Sequence, residues 1–275
     1  MAAIGKVELW GHGTMSREIV RKLTPEEEEL HRKREELAGV RGTLAKRELE
    51  LADFRAQLKS FEGRYLRQVG VLYAELDDWE AKIATLEARL RPSATASQQA
   101  QETRKRADET HEAAHGEASK AVEFKPPADL RKLYYEVAKR IHPDFAKDDG
   151  ADRLHRNDRM AKANEAYNKS DTEALQRILE EYSGTSESVP GEGIGAELIR
   201  IIRQIAKAKE HIAAIEQKLR EERAGEIAQL KQDCEAAGKE GRDLLAELAA
   251  SVRERIADLE RKHKTLAVEL KNNGG

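Results

Sequence analysis

Three consecutive residues, His142, Pro143 and Asp144, place an imidazole and a carboxylate on either side of a proline. Proline fixes one backbone torsion, so the tripeptide forms a rigid turn and ends any helix that precedes it. The histidine and the aspartate are therefore presented beyond a helix end, where they could bind a partner through hydrogen bonds and charge. No nucleophile with a neighbouring base accompanies them, so the pattern indicates docking and not an enzyme.

A second pair of residues that could do chemistry consists of two possible metal ligands. These residues, His111 and His115, occur in the pattern His-Glu-x-x-His. On a helix this spacing puts both histidines on one face, as in zinc proteases. Such enzymes bury the helix and supply a third ligand, whereas the residues around this motif offer no apolar face. The single cysteine, Cys234, excludes a zinc site built from several cysteines. The sequence therefore predicts a polar helix here, with no metal site and no cofactor.

The segments around the tripeptide have the periodicity of amphipathic helices. Their apolar residues recur mainly at steps of three and four, which places them on one face of each helix. They are Leu130, Tyr134, Val137 and Ile141 before the tripeptide, Met160, Ala163 and Tyr167 after it, and Leu175, Ile178, Leu179 and Tyr182 in a short third helix.

This order of elements resembles the J domain of DnaJ-type co-chaperones. The resemblance rests on an amphipathic helix that ends at His142, on the His-Pro-Asp tripeptide, and on a following helix that ends Glu-Ala-Tyr at Tyr167. In that family the equivalent helix and tripeptide bind a DnaK-type heat-shock chaperone and stimulate its ATP hydrolysis. The resemblance implies a co-chaperone for residues 124–182, with a DnaK-type chaperone as its partner.

The resemblance also implies which residues bind the chaperone. His142, Pro143 and Asp144 would be needed for stimulation, and Asp144 would be the anion that pairs with an arginine of the partner. The segment 125–140 holds five basic and two acidic residues, which predicts a salt-sensitive encounter with an acidic surface. The basic residues predicted to take part are Arg131, Lys132, Lys139 and Arg140.

Several features of the family are missing from this chain. There is no recognisable first helix, no glycine–phenylalanine region and no zinc-binding cysteine array, and Phe145 stands where the family often has a basic residue. The sequence thus predicts a divergent J protein. An alternative hypothesis remains open, in which the chain is a coiled-coil scaffold or adaptor and its J-like module is merely a docking element.

Residues 24–91 show the heptad spacing of a long coiled-coil helix. Thr24 and Glu27 form a capping box at its start, and the heptad is interrupted by a four-residue step between Tyr65 and Val69, a stutter. The seam residues before the stutter are Leu30, Leu37, Val40, Leu44, Leu51, Phe54, Leu58 and Phe61.

A second heptad helix is predicted over 196–271. Its middle is weakened by Gly225, Gly238 and Gly241, each of which costs about 1 kcal/mol relative to alanine in a helix. Because both helices adjoin the J-like module and have similar lengths, we expect them to pair antiparallel within one chain. That arrangement places the module at the tip of a rod and Cys234 opposite roughly Ala52.

The predicted fold class is all-α, with long antiparallel coiled-coil helices flanking a small J-like helical module. The predicted organisation is 1–23 N-terminal segment, 24–91 coiled-coil helix, 92–123 polar linker, 124–182 J-like domain, 183–195 linker and 196–271 coiled-coil helix. The N-terminal segment either packs on the neighbouring helix or docks a partner through Trp10.

Composition limits the remaining possibilities. Of 275 residues, 37% are charged and 4% are aromatic, which favours long helices over a large globular core. The net charge of −3 gives no field that would attract nucleic acid or a membrane. With no signal peptide and no membrane span in the sequence, we expect a cytoplasmic protein. The client or complex bound by the coiled coils and the oligomeric state stay open.

Overall fold

The fold is all-α, as predicted. The computed structural model describes residues 23–116, 120, 123–146, 150–182 and 193–273. Within these ranges no strand occurs, and no helix is long and apolar enough to cross a membrane. The helices are α1 Pro25–Tyr65, a π turn Leu66–Gly70, α2 Val71–Leu90, α3 Ala94–His115, α4 Ala128–Ile141, α5 Ala151–Asn168, α6 Thr172–Glu181, α7 Ile194–Arg223, α8 Glu226–Lys239 and α9 Leu244–Asn273.

Two of the predicted segments fall largely outside these ranges. The N-terminal segment 1–23, including Trp10, is described only at Leu23, and the linker 183–195 only from residue 193. The predictions made for them therefore stay predictions.

The first long helix runs through α1, the π turn and α2. Its capping box is confirmed: Glu27 donates its backbone N–H to the Thr24 side chain, and the Thr24 N–H donates to the Glu27 carboxylate. The π turn at Leu66–Gly70 coincides with the stutter between Tyr65 and Val69. A π turn absorbs an extra residue into a helix, and here it keeps Val69 fully buried on the apolar face.

Helix α3 occupies most of the predicted polar linker 92–123 and differs from that prediction. It folds back along α2, and Arg104 and Arg106 reach across to Asp78 and Asp77. The expectation that this stretch buries no face is wrong, because α3 buries Ala107 and Ala114. Alanine side chains are small enough to let two helices approach closely, so a face of alanines can pack without large apolar residues.

Helices α1 and α7 run parallel, which corrects the predicted antiparallel pairing. Arg34, near the start of α1, pairs with Glu197, near the start of α7, at 2.6 Å. Farther along both helices, Arg55 pairs with Glu222. Seam residues of both helices share one apolar cluster, which supports the predicted heptad faces; supercoiling of these helices stays a prediction. The buried members of that cluster on α1 and α7 are Leu30, Leu37, Leu44, Leu51, Ile201, Ile205, Ala208, Ile215 and Leu219.

The turn back at α3 explains the parallel direction. Because α3 returns the chain along α2, the J-like module lies beside α1, and α7 then starts near the beginning of α1. The module is therefore at the side of the long helix and not at the tip of a rod. Cys234 packs in a cluster with Phe61 and Val69, so its predicted position opposite Ala52 is wrong.

The second predicted long helix, 196–271, is broken into α7, α8 and α9. The breaks lie at Gly225 and Gly241, two of the glycines predicted to weaken it. Gly241 has φ +78, a left-handed conformation that favours glycine. Helix α9 continues along α2, where Leu76 packs with Val252 and Ile256.

Helices α4, α5 and α6, the segment predicted as the J-like module, share one core. The predicted apolar faces are confirmed, since their central residues are buried together. Ala45 of α1 belongs to the same cluster, so the module and the long helix are packed against each other. The buried residues of the module are Leu130, Tyr134, Val137, Ala138, Ile141, Met160, Ala163, Ala166, Tyr167, Leu175 and Ile178.

Candidate functional site

The predicted site is a tight turn at the end of α4, here named the His-Pro-Asp loop (His142 to Ala146). Pro143 opens a 3₁₀ turn over Pro143–Phe145, and the Phe145 N–H donates to the His142 carbonyl at 3.1 Å. The turn is thus as compact as the proline predicts. The side chains of His142, Asp144 and Phe145, however, face α1 and α7.

His142 is buried, with 1% of its surface exposed. The backbone N–H of Asp144 donates to His142 Nδ1 at 3.2 Å. Because Nδ1 accepts, the proton of the neutral ring lies on Nε2, which faces Glu48 Oε1 of α1 at 3.4 Å. The imidazole is therefore engaged on both sides within the chain.

Asp144 contacts helix α7 through His211. Its Oδ2 lies 3.0 Å from His211 Nδ1, and His211 Nε2 lies 3.7 Å from Glu48 Oε1. The hydrogen bond to Asp144 raises the pKa of His211 against the opposing effect of burial, and the charges of Asp144 and Glu48 raise it further. The His211 ring thus lies between a carboxylate of the loop and a carboxylate of α1.

The carboxyl group of Asp144 keeps its charge although it is largely buried. Burial acts to raise its pKa, but the hydrogen bond from His211 and the electrostatic interactions with His142, His211 and Arg153 outweigh that effect and lower it. The Asp144 carboxylate therefore has His211 as its partner inside the chain.

The rest of the loop is also held by α1 and α7. Phe145 is buried, with the guanidinium carbon of Arg41 4.6 Å from its ring centroid. Gln204 of α7 donates its side-chain amide to the Ala146 carbonyl at 3.2 Å. Phe145 thus anchors the loop by apolar burial.

The first of the predicted basic residues, Arg131, pairs with α1. Its Nη2 lies 2.8 Å from Asp53 Oδ2, and Asp53 also accepts a hydrogen bond from the Tyr167 hydroxyl. Asp53 is buried, so this link connects the long helix to both α4 and α5. Arg131 thus fastens the module to α1.

The other predicted basic residues differ in their surroundings. Lys132 and Arg140 are exposed, whereas Lys139 is half-buried, 5.9 Å from the centroid of the Tyr135 ring. The Arg140 carbonyl accepts a hydrogen bond from Arg156 at 2.9 Å. The predicted docking face is therefore divided, with the tripeptide turned inward and part of the basic surface turned outward.

Beside the loop lies a cleft of about 480 Å³ between α1, α4 and α7. Phe145 and Leu37 form part of its wall, and Glu197 is its acidic member. The basic side chains that line it are Arg34, Arg41, Lys139, Arg156 and Arg200. The cleft continues the positive surface of α4 onto the long helices.

Comparison of the chain with protein-family models, with curated proteins and with solved structures finds no match. The function must therefore be argued from the residues themselves.

The sequence did not single out Glu48, His211, Asp53 or Gln204. They come from helices far from the tripeptide in the chain, and the predicted antiparallel pairing would have kept α7 away from it. A signal does exist, because Glu48 and His211 each flank an apolar seam. In parallel helices such flanking positions lie across from each other.

Glu48, His142 and His211 also offer ligand atoms that converge. One such atom from each lies within 4.8 Å of the others, and the described residues contain no second set of three or more His, Cys, Asp or Glu side chains at this spacing. The pair singled out by sequence, His111 and His115, is exposed and stacked, with ring centroids 4.3 Å apart. The predicted absence of a metal was argued from His111 and His115 alone and did not consider this set of three residues.

Proposed function

We propose that the chain is a co-chaperone that recruits a DnaK-type chaperone and stimulates its ATPase. The supporting observation is the helical hairpin of α4 and α5, which carries the tripeptide at its turn. The Tyr134 ring lies 4.6 Å from the Tyr167 ring, and its hydroxyl donates to Asn164. This core gives His142 and Asp144 a rigid base, as a docking element needs.

Burial of the loop sets a condition on this activity. A chaperone cannot reach a histidine that is 1% exposed, so stimulation requires the loop to separate from α1 and α7. The contacts that hold it include polar pairs to Glu48, Gln204 and His211. We therefore infer that the described conformation is a closed form with low stimulation.

In the proposed co-chaperone, the long helices would target the protein to its site of action. They present long charged surfaces outside their shared seams, and such surfaces suit binding to a client or a larger assembly. A DnaK-type partner would place the protein in the cytoplasm.

A second candidate function is supported by the same burial. If the tripeptide serves solely to fasten the module to α1 and α7, the chain is a helical scaffold. The pairing of Arg131 with Asp53 favours this alternative, because it uses a predicted chaperone-binding residue for an internal contact.

Single-turnover ATP hydrolysis by a DnaK-type chaperone from the same organism separates the two functions. His211→Ala removes the α7 partner of Asp144, and we expect it to stimulate several-fold more than the unmodified chain. His142→Gln in the same background should abolish the gain. Arg34→Gln is the matched control, because it breaks an α1–α7 ion pair without touching the loop.

The scaffold function predicts a different outcome. Neither the unmodified chain nor His211→Ala would then stimulate any DnaK-type chaperone of the organism, although circular dichroism shows both to be folded. Stimulation that survives His142→Gln would also contradict the co-chaperone proposal.

A further inference from the structure

Three elements that are distant in sequence bring metal-binding side chains to one point. Glu48 comes from α1, His142 from the end of α4 and His211 from α7. Glu48 Oε1 lies 3.4 Å from His142 Nε2 and 3.7 Å from His211 Nε2. We propose that these residues bind one divalent transition-metal ion of the zinc class.

The spacing of the three atoms fits tetrahedral coordination. With metal–ligand bonds near 2.0–2.1 Å, neighbouring ligand atoms are about 3.3–3.4 Å apart. The two distances to Glu48 Oε1 are within a few tenths of an ångström of that value, and one ligand atom from each of the three residues lies within 4.8 Å of the others. Small side-chain shifts are enough to bring the three ligand atoms to bonding distance from one ion. Water would occupy the fourth coordination position.

Asp144 supplies the outer contact that metal-bound histidines usually have. A ligating histidine commonly donates its other ring N–H to a carboxylate, which fixes the ring orientation. Asp144 Oδ2 lies 3.0 Å from His211 Nδ1 and 3.6 Å from His142 Nδ1. The same carboxylate therefore faces the outer nitrogen of both rings.

Metal binding requires one change of tautomer. In the described state His142 Nδ1 accepts the Asp144 N–H, so Nε2 carries the ring proton. Coordination through Nε2 requires that proton to move to Nδ1, which then donates a hydrogen bond to the Asp144 carboxylate and no longer accepts the Asp144 N–H. Ligation likewise requires that His211 Nε2 carries no proton, so metal binding weakens as the pH falls.

Charge and burial both favour an ion at this point. His142 is 1% exposed and the side chain of Glu48 is 13% exposed. Two carboxylates, Glu48 and Asp144, face the two histidines, and a dication neutralises them. Histidine nitrogen and carboxylate oxygen are both ordinary ligands of Zn²⁺, and imidazole also suits Ni²⁺. Such an ion joins α1, the His-Pro-Asp loop and α7, and if the proposed function holds, it keeps the loop closed.

The test uses the full chain after treatment with chelator, titrated with Co²⁺ at pH 7.5 and followed by its visible absorption. We expect one equivalent to bind and to give the spectrum of a tetrahedral site with nitrogen and oxygen ligands. His211→Ala should abolish this binding, and Asp144→Asn should weaken it about 10–100-fold. The matched control is His115→Ala, which removes a histidine from the exposed pair on α3 and should leave binding unchanged.

Zinc should also raise the melting temperature of the unmodified chain and of His115→Ala, but not that of His211→Ala. The proposal is overturned if no stoichiometric Co²⁺ binds, or if binding is lost with His115→Ala and kept with His211→Ala. No chaperone enters this experiment, so its result is separate from that of the ATPase test.

Discussion

At the scale of single residues, Tyr134 shows how one side chain supports the site. It is fully buried, its ring packs on Tyr167, and its hydroxyl donates to Asn164. Burial raises its pKa well above the usual tyrosine value, which favours the protonated hydroxyl that donates to Asn164. The residue joins α4 to α5 directly below the loop.

We predict that Tyr134→Ala destabilises the J-like module by about 3–5 kcal/mol, because it removes a large buried ring from a small core. Tyr134→Phe keeps the ring and loses one hydrogen bond, so we expect a cost of about 1 kcal/mol. Urea unfolding followed by circular dichroism measures both. Equal losses for the two variants would show that the ring packing is not what stabilises the module.

The sequence predicted these core residues well but missed the partners of the tripeptide. Leu130, Val137 and Tyr134 follow a helical period, and such a period determines which face is buried. The contacts of His142 with Glu48 and His211 depend on how three separate helices meet. Helical periodicity within one segment does not show how separate helices pack against each other. A compact turn is equally compatible with exposed and with buried side chains.

At the scale of elements, two glycines with the same predicted cost have different roles. Gly238 lies inside α8, whereas Gly241 follows the end of that helix with φ +78. The Arg242 N–H donates to the Ala237 carbonyl at 3.0 Å, and the Gly241 N–H to the Gly238 carbonyl at 3.1 Å. These bonds form the glycine-ended helix cap known as a Schellman motif.

We predict opposite effects of alanine at these two positions. Gly238→Ala should stabilise the protein by about 0.5–1 kcal/mol, because alanine favours the helix and its Cβ meets no atom within 4 Å. Gly241→Ala should destabilise it by about 1–2 kcal/mol, because the left-handed conformation is strained for alanine. Thermal unfolding measures the melting temperature of both variants and tests this prediction. A change of the same sign in both melting temperatures would contradict the assigned cap.

Element prediction failed most clearly at α3. The stretch has no large apolar residue, so its periodicity predicted no buried face, yet Ala107 and Ala114 are buried. The stutter, in contrast, was located correctly at Tyr65 to Val69, because a break in heptad spacing is itself a local signal.

At the scale of the whole molecule, the direction of pairing between α1 and α7 decides what lies beside the loop. Parallel pairing brings His211 and Gln204 to it, whereas the predicted antiparallel pairing does not. The error arose because similar helix lengths are compatible with both directions, and α3, which selects between them, was interpreted as a linker.

We predict that cysteines at Arg34 and Glu197 are joined by a short bismaleimide within one chain, in a Cys234→Ser background. The side chains of this pair meet at 2.6 Å in parallel pairing. Cysteines at Arg34 and Glu222 are the matched control and should not be joined. Electrophoresis at several protein concentrations shows whether a link is intramolecular. Preferential joining of the control pair would support antiparallel helices.

The most direct measurement for the account as a whole is the chemical accessibility of His142, since both the closed form and the metal site depend on its burial. Full-length protein free of metal is treated with diethyl pyrocarbonate, and the modification of each histidine is followed by peptide mass spectrometry. His111 and His115 are exposed and serve as references in the same chain. We predict that His111 and His115 react at least ten times faster than His142. In the His211→Ala variant we expect a smaller difference between these modification rates. A His142 that reacts as fast as His111 in the unmodified chain would contradict the burial of the loop against α1 and α7.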